Sequence, residues 1–204
     1  MSESAMASNA ARQRQLLTLQ AAIRGCTRCV AAGHIAQAHP ILRGNVTARV
    51  MVVGQAPGVG AAERPVPYAG ATGKTLRAWL ARAGFAEEAF HDPGRFYLTS
   101  LTKCFPGKAR QGAGDRAPSR AEIGLCGAHL AAELQLVRPE LVLALGRLAS
   151  EWLLPSCRGL LLAELVGEAR RVEVPAAGNA WVLALPHPSG VSRWLNASAH
   201  QARL

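Results

Sequence analysis

The sequence has no long hydrophobic run. Its apolar stretches, such as 141–145 and 181–185, are strand-sized and far short of the roughly 20 residues of a bilayer span, which excludes a transmembrane helix. The opening MSESAMASNAARQRQ carries no apolar h-region, which argues against secretion by a signal peptide. A cytoplasmic, bacterial chain is expected. Disulfides rarely persist in that compartment, so the five cysteines should be thiols or metal ligands. Acidic residues are also scarce: 13 Asp and Glu against 23 Lys and Arg leave a net charge of +10. That excess favours a polyanionic partner, nucleic acid first, although an arginine- and alanine-rich composition also follows from a GC-rich genome. With 204 residues, half of them hydrophobic, the chain suits one well-buried α/β domain rather than two.

Residues 1–9, small and polar, read as a disordered leader ahead of a domain over 10–204. From Arg12 to Arg24, Leu16, Leu17, Leu19, Ala22 and Ile23 fall near helical spacing. A first helix therefore delivers the pair Cys26 and Cys29 in C-T-R-C. ARVMVVG, FYLTSLTKC, ELVLALG and AWVLALP read as four buried strands. Between them, KTLRAWLARAGF has an apolar helical face of Leu76, Trp79, Leu80 and Ala83. Ser119 stands three residues before Glu122, a capping box for a helix through Cys126, Leu130 and Leu134. GRLASEWLL reads as a short helix and 155–180 as irregular or hairpin structure. This alternation predicts a three-layer α/β fold with a central, mainly parallel, four-stranded sheet flanked by helices. Ligands of such sheets lie beyond the carboxyl ends of the strands, and GQAPG, TSLTKC and PHPSG all fall at that edge.

Four cysteines are placed like the corners of a metal site. Cys26 and Cys29 form a chelating pair, while Cys104 and Cys126 must be brought to them by the fold. Four thiolates suit zinc or an iron–sulfur cluster alike. Cys157, in LLPSCRGLL, has no nearby cysteine and reads as a free, half-buried thiol.

Taken together, C-T-R-C, the strand into GQAPG, PYAGATGKTL, YLTSLTKC, the helix with Cys126, RPELVLALGRLA and the strand into HPSG resemble the uracil-DNA glycosylase superfamily. The closest likeness is to its iron–sulfur, family 4 type, over about Leu16 to Asn196. The resemblance implies a [4Fe–4S] cluster on Cys26, Cys29, Cys104 and Cys126, with zinc as the alternative. It also implies hydrolysis of the N-glycosidic bond of uracil in DNA, in base-excision repair, by a monomer. Two positions depart from the family pattern. Gln55 replaces an acidic residue, with Ala56 where classical uracil enzymes carry a water-activating aspartate, and Ser100 replaces an asparagine. The same fold acting on hypoxanthine, xanthine or a damaged pyrimidine is therefore an alternative, as is a non-catalytic iron–sulfur protein that binds damaged DNA. The segment 105–119 contains no histidine, which argues against the covalent trapping that one branch of the superfamily performs there.

The chemistry requires donors where negative charge develops on the departing base, and a flipped nucleotide in a pocket. By the resemblance, His187 donates to O2 of the leaving base and Tyr68 stacks on it. Gln55, Ala56 and Ser100 border the base edge, and Gln55 offers an amide and a backbone N–H to the base or to the attacking water. Glu63, the carboxylate in the loop after GQAPG, is either a general base or a solvated loop residue. Pro57, Gly58, Ser189, Gly190, Val191 and Arg193 are the DNA-contacting candidates, with Val191 or Trp194 as a wedge in the base stack. Lys103, Lys108, Arg110, Arg116 and Arg120 would add a basic surface around the third cysteine.

Overall fold

The computed structural model describes residues 3–110, 114–174, 178–190 and 193–201. The chain runs α1 (Glu3–Arg24), α2 (Arg28–Ala31), β1 (Val50–Gly54), α3 (Val59–Glu63), α4 (Ala71–Arg82), α5 (Glu87–His91), β2 (Phe96–Ser100) and α6 (Arg120–Val137). It continues with β3 (Leu141–Leu145), α7 (Arg147–Leu153), α8 (Leu162–Leu165), β4 (Ala169–Val174), β5 (Gly178–Leu185) and α9 (Ser198–Gln201), with 3-10 turns at Pro155–Cys157 and Arg193–Asn196. In place of a disordered leader, α1 opens at Glu3. Ala7, Ala10 and Ala11 are the strongest helix formers, and they extend the amphipathic segment backwards. None of the described helices is long and apolar enough to cross a membrane.

The α/β class is as expected, but the sheet has five strands rather than four, in the order β2-β1-β3-β5-β4. The four expected strands pair in parallel. The additional strand, β4, runs antiparallel to β5 and supplies the hairpin within 155–180. Its sequence, ARRVEV, alternates in burial, with Ala169, Arg171 and Glu173 exposed and Arg170, Val172 and Val174 partly or fully covered. That is the pattern of an edge strand with one wet face, and it lacks the continuous apolar run by which the central strands declare themselves.

Period-two alternation inside those runs separates two cores. Met51, Val53, Val142, Ala144 and Val182 face Leu16 and Ile23 of α1 and Leu130 and Leu134 of α6. Val52, Leu98, Leu143 and Leu145 face Leu76, Leu80 and Phe90 from α4 and α5. The capping box of α6 forms as expected: Ser119 Oγ accepts from the Glu122 N–H at 3.2 Å, and Glu122 accepts the Ser119 N–H at 2.8 Å. Strand register levels the carboxyl ends, placing Gly54 beside Ser100 and Leu145 beside Leu185. From β1 the chain moves to β2 on one side and later to β3 on the other, and such a reversal of strand order opens a crevice at that end.

Candidate active site

Beyond that edge lies a cavity of about 530 Å³, inside the range of about 300–1,000 Å³ usual for small-molecule sites. Gln55, Ala56, Pro57 and Gly58 line it from the loop after β1, Tyr68 from the loop before α4, Ser100 from β2, and His187, Ser189 and Gly190 from the loop after β5. Glu63 is not brought in. The short α3 turns Val59, Gly60 and Ala61 to the cavity, while Glu63, its last residue, is exposed and outside the lining. Val191 lies outside the described residues, and of Arg193 only the backbone is described, in the 3-10 turn. Trp194 stacks on the His200 ring, centroids 4.4 Å apart, so its indole has a packing partner within its own segment.

The position of Tyr68 explains two glycines. Its φ is 57°, its hydroxyl donates to the Thr99 carbonyl at 3.2 Å, and its ring meets Phe90 edge-on at 6.2 Å. A Cβ on Gly54 would sit 2.9 Å from the phenol oxygen, and one on Gly73 only 1.7 Å from the Tyr68 carbonyl oxygen. Only glycine admits the tyrosine at both points. Burial pushes the phenol far above its usual range, so the ring is neutral and can serve as a fixed stacking face.

His187 is held just as closely. Its Nδ1 lies 2.8 Å from Ser189 Oγ, and burial lowers its pKa below 6.5. At neutral pH the imidazole is therefore uncharged. Where the serine hydroxyl donates to Nδ1, the ring proton resides on Nε2 and is free to donate. Ser189 is thus engaged with the histidine, although the sequence suggested a phosphate contact for it. Gly146, at φ 82°, lets the end of β3 pass beneath, since a Cβ there would stand 3.2 Å from that of His187. The Gln55 carbonyl accepts the Thr102 N–H at 3.2 Å, which ties GQAPG to TSLTKC.

One lining residue escaped the sequence reading. Asp115 is the carboxylate among the described cavity residues. It accepts the Val59 N–H at 3.1 Å and the Lys108 ammonium at 2.8 Å, so it joins the loop after Cys104 to the start of α3. Sequence offered no signal, because 56 residues separate Asp115 from Val59 and neighbouring residues carry no motif. The expected basic surface is also redistributed. Lys103 is buried, and Arg116 is bound to Glu122 and to the His34 carbonyl, whereas Lys108, Arg110 and Arg120 remain exposed.

The second site lies beside the first. Cys26, Cys29, Cys104 and Cys126 ring one small cavity together with Glu122 and His129. α1 delivers Cys26, α2 carries Cys29, the segment after β2 carries Cys104, and α6 carries Cys126. Burial pushes the Cys104 thiol up to about 11 and raises Cys29 and Cys126 as well. A metal centre that binds them as thiolates would release their protons. No three His, Cys, Asp or Glu side chains among the described residues converge closely enough for a single ion. Four thiols are a donor set that suits an iron–sulfur cluster or zinc alike. Cys157 is half-buried and packs against the α1–α6 core, matching its reading as a free thiol.

The model of the uracil DNA glycosylase superfamily matches residues 42–203. This chain belongs to that superfamily. It is 30% identical over 150 residues to a type-4 uracil-DNA glycosylase of Archaeoglobus fulgidus, covering 72% of this chain and 69% of the relative. It is 29% identical to a type-4 uracil-DNA glycosylase of Pyrobaculum aerophilum, covering 68% of this chain and 64% of that one. A type-5 uracil-DNA glycosylase of the same organism is 32% identical, covering 72% and 63%. The matched segment thus spans about two thirds of each relative's length.

In this superfamily member a buried polar chain runs between the two sites. The Lys103 ammonium contacts Glu133 at 2.7 Å and donates to the Ser100 carbonyl at 2.6 Å. Glu133 also accepts from Tyr97 at 3.0 Å and from Thr99 at 3.1 Å. The Lys103 backbone N–H points at Cys126 Sγ, 3.4 Å away. The strand end that borders the larger cavity is therefore tied through one lysine to the helix that carries a cysteine.

Proposed function

We propose that the protein is a monomeric, cytoplasmic DNA glycosylase that flips uracil out of DNA and hydrolyses its N-glycosidic bond, with a [4Fe–4S] cluster on Cys26, Cys29, Cys104 and Cys126. The observation that carries this reading is the meeting of Gln55, Tyr68, Ser100 and neutral His187 around one cavity at the strand ends. The flipped base stacks on Tyr68, an interaction worth about 1–3 kcal/mol. The Ser100 hydroxyl and the Gln55 amide meet its polar edge. As the bond from N1 to C1′ stretches, negative charge spreads onto O2 and the sugar becomes oxocarbenium-like. His187 Nε2–H donates to O2, and Ser189 fixes the tautomer that makes this possible. Water adds to C1′, its proton passes to the Asp115 carboxylate, and the base leaves as an anion that solvent protonates. Lys108 holds that carboxylate in place, its ammonium 2.8 Å away. Glu63, outside the cavity, has no part in it. Cys26, Cys29, Cys104 and Cys126 would hold the cluster and through it fasten α1, the end of β2 and α6 together; the hydrolysis itself transfers no electrons.

The test is excision on single- and double-stranded oligonucleotides carrying uracil, hypoxanthine or xanthine. Abasic product from uracil is expected. Product from a purine only would move the specificity to the Ser100 and Gln55 edge, and tight binding without any product would establish a damage-binding protein. Iron and sulfide in equal amounts with broad visible absorbance identify the cluster, whereas a colourless protein with one zinc overturns it.

A further inference from the structure

The inner face of α6 is unusual for a buried helix. Glu122, Cys126, His129 and Glu133 are all buried and follow one another at spacings of four, three and four residues, so they form one stripe along the helix. Buried polar groups are normally satisfied. Three of these four have their partners: Glu122 holds Arg116 and the Ser119 N–H, Cys126 receives the Lys103 N–H, and Glu133 holds Lys103, Tyr97 and Thr99. His129 does not. Its Nε2 is buried without a hydrogen-bond partner, in a residue only 9% exposed that lines the cysteine cavity. Leaving such a group unpaired is costly, and a leucine would fill the space without that cost. The residue shares that lining with all four cysteines, whose sulfurs are acceptors.

We propose that His129 donates its Nε2–H to a sulfur of the cluster site, either a bridging sulfide or a coordinated thiolate, and so tunes the cluster's hold and its reduction potential. This rests on the reading that the four cysteines hold an iron–sulfur cluster. Hydrogen bonds to sulfur stabilise the reduced, more negative state and raise the potential. They also belong to the outer shell that governs retention of a metal centre. His129 is thus a positioning residue for the cluster and touches no DNA.

The experiment uses the intact holoprotein, purified anaerobically, with ¹⁵N-labelled histidine. Pulsed EPR of the reduced cluster is expected to show a weak ¹⁵N coupling in the wild type that vanishes in His129→Phe, a variant that keeps the ring shape. The same variant should bleach about tenfold faster in a chelator and shift its potential to more negative values, while His129→Gln, which retains an N–H donor, recovers part of both. If His129→Phe proves too unstable to isolate, the wild-type coupling and the Gln variant decide the matter. A brown wild type without the coupling, and with bleaching and potential unchanged in the variants, overturns the role of His129 alone. A protein without iron overturns the cluster reading as well, and the two failures are told apart by colour and metal content.

Discussion

The two cavities are neighbours built on opposite rules. At the strand ends, the side chains are fixed from behind and leave their chemistry facing outward: Tyr68 is anchored by its hydroxyl to Thr99, and His187 by Nδ1 to Ser189, so a ring face and Nε2 remain for a ligand. Around the cysteines, the polar groups are consumed internally, with Glu122 bound by Arg116, Glu133 by Lys103 and one imidazole nitrogen left over. The first arrangement suits a visitor that must come and go, the second a resident group that is buried once. Lys103 belongs to both, since its side chain holds the Ser100 carbonyl and its backbone faces Cys126.

Breaking that shared lysine should have the largest effect. Lys103→Met strands Glu133 as an unpaired buried charge and should lower stability by about 3–5 kcal/mol, read by urea unfolding of the holoprotein. Adding Glu133→Leu should recover most of the loss, and a single-variant loss below about 1 kcal/mol would mean that the two sites are not joined through this pair. Next comes His187→Ala, expected to cut single-turnover excision by about 10²–10³ with unchanged melting temperature. A fall of less than tenfold would remove His187 from the leaving-group side. Asp115→Asn keeps an oxygen for the Val59 N–H but loses the charge, so excision should drop by roughly tenfold, a modest share for proton acceptance in a dissociative reaction, while thermal stability holds.

The smallest effects are those of pH, and they separate the two regions by their window. The pKa of His187 is lowered, so the folded state binds fewer protons than the unfolded one near 6.5. Its contribution to stability is complete above 6.5 and fades as the pH falls below it. Excision by the neutral imidazole should therefore be flat from pH 7 to 8, with its acid inflection displaced below 6.5. Glu122 is held down at about 2 against an ordinary 4.5, first by its hydrogen bonds from Arg116. Its contribution is complete above 4.5 and is lost as the pH falls toward 2. Glu122→Gln should flatten the acid unfolding curve below 4.5 and leave the neutral-pH activity profile unchanged.

How much of this was legible in the sequence varied with the range of the signal. Strands β1, β2, β3 and β5 announced themselves as continuous apolar runs, and the capping box of Ser119 and Glu122 lies within three residues. β4 was not legible, because an edge strand with one solvated face need not be apolar. The start of α1 was misread for a related reason: small residues satisfy both a tail and a helix, and local composition does not choose between them. Asp115 was missed because its partners, Val59 across the fold and Lys108 across a loop, are set by the chain's path and not by spacing. Glu63, weighed as a base or a solvated loop residue for its nearness to GQAPG, is exposed at the end of one short helix and outside the cavity lining.

By itself, the sequence determined the class of the fold, the strand-end edge at which the motifs gather and the four cysteines, since these rest on local periodicity and spacing, while His187 and Tyr68 were singled out by the family resemblance of their motifs. Only the tertiary structure decided which carboxylate reaches the cavity, that Ser189 serves His187, that Lys103 is buried between the sites, and that His129 faces the cysteines without a partner. Side-chain burial and hydrogen bonding are properties of what packs opposite, and what packs opposite is fixed by the folded chain as a whole.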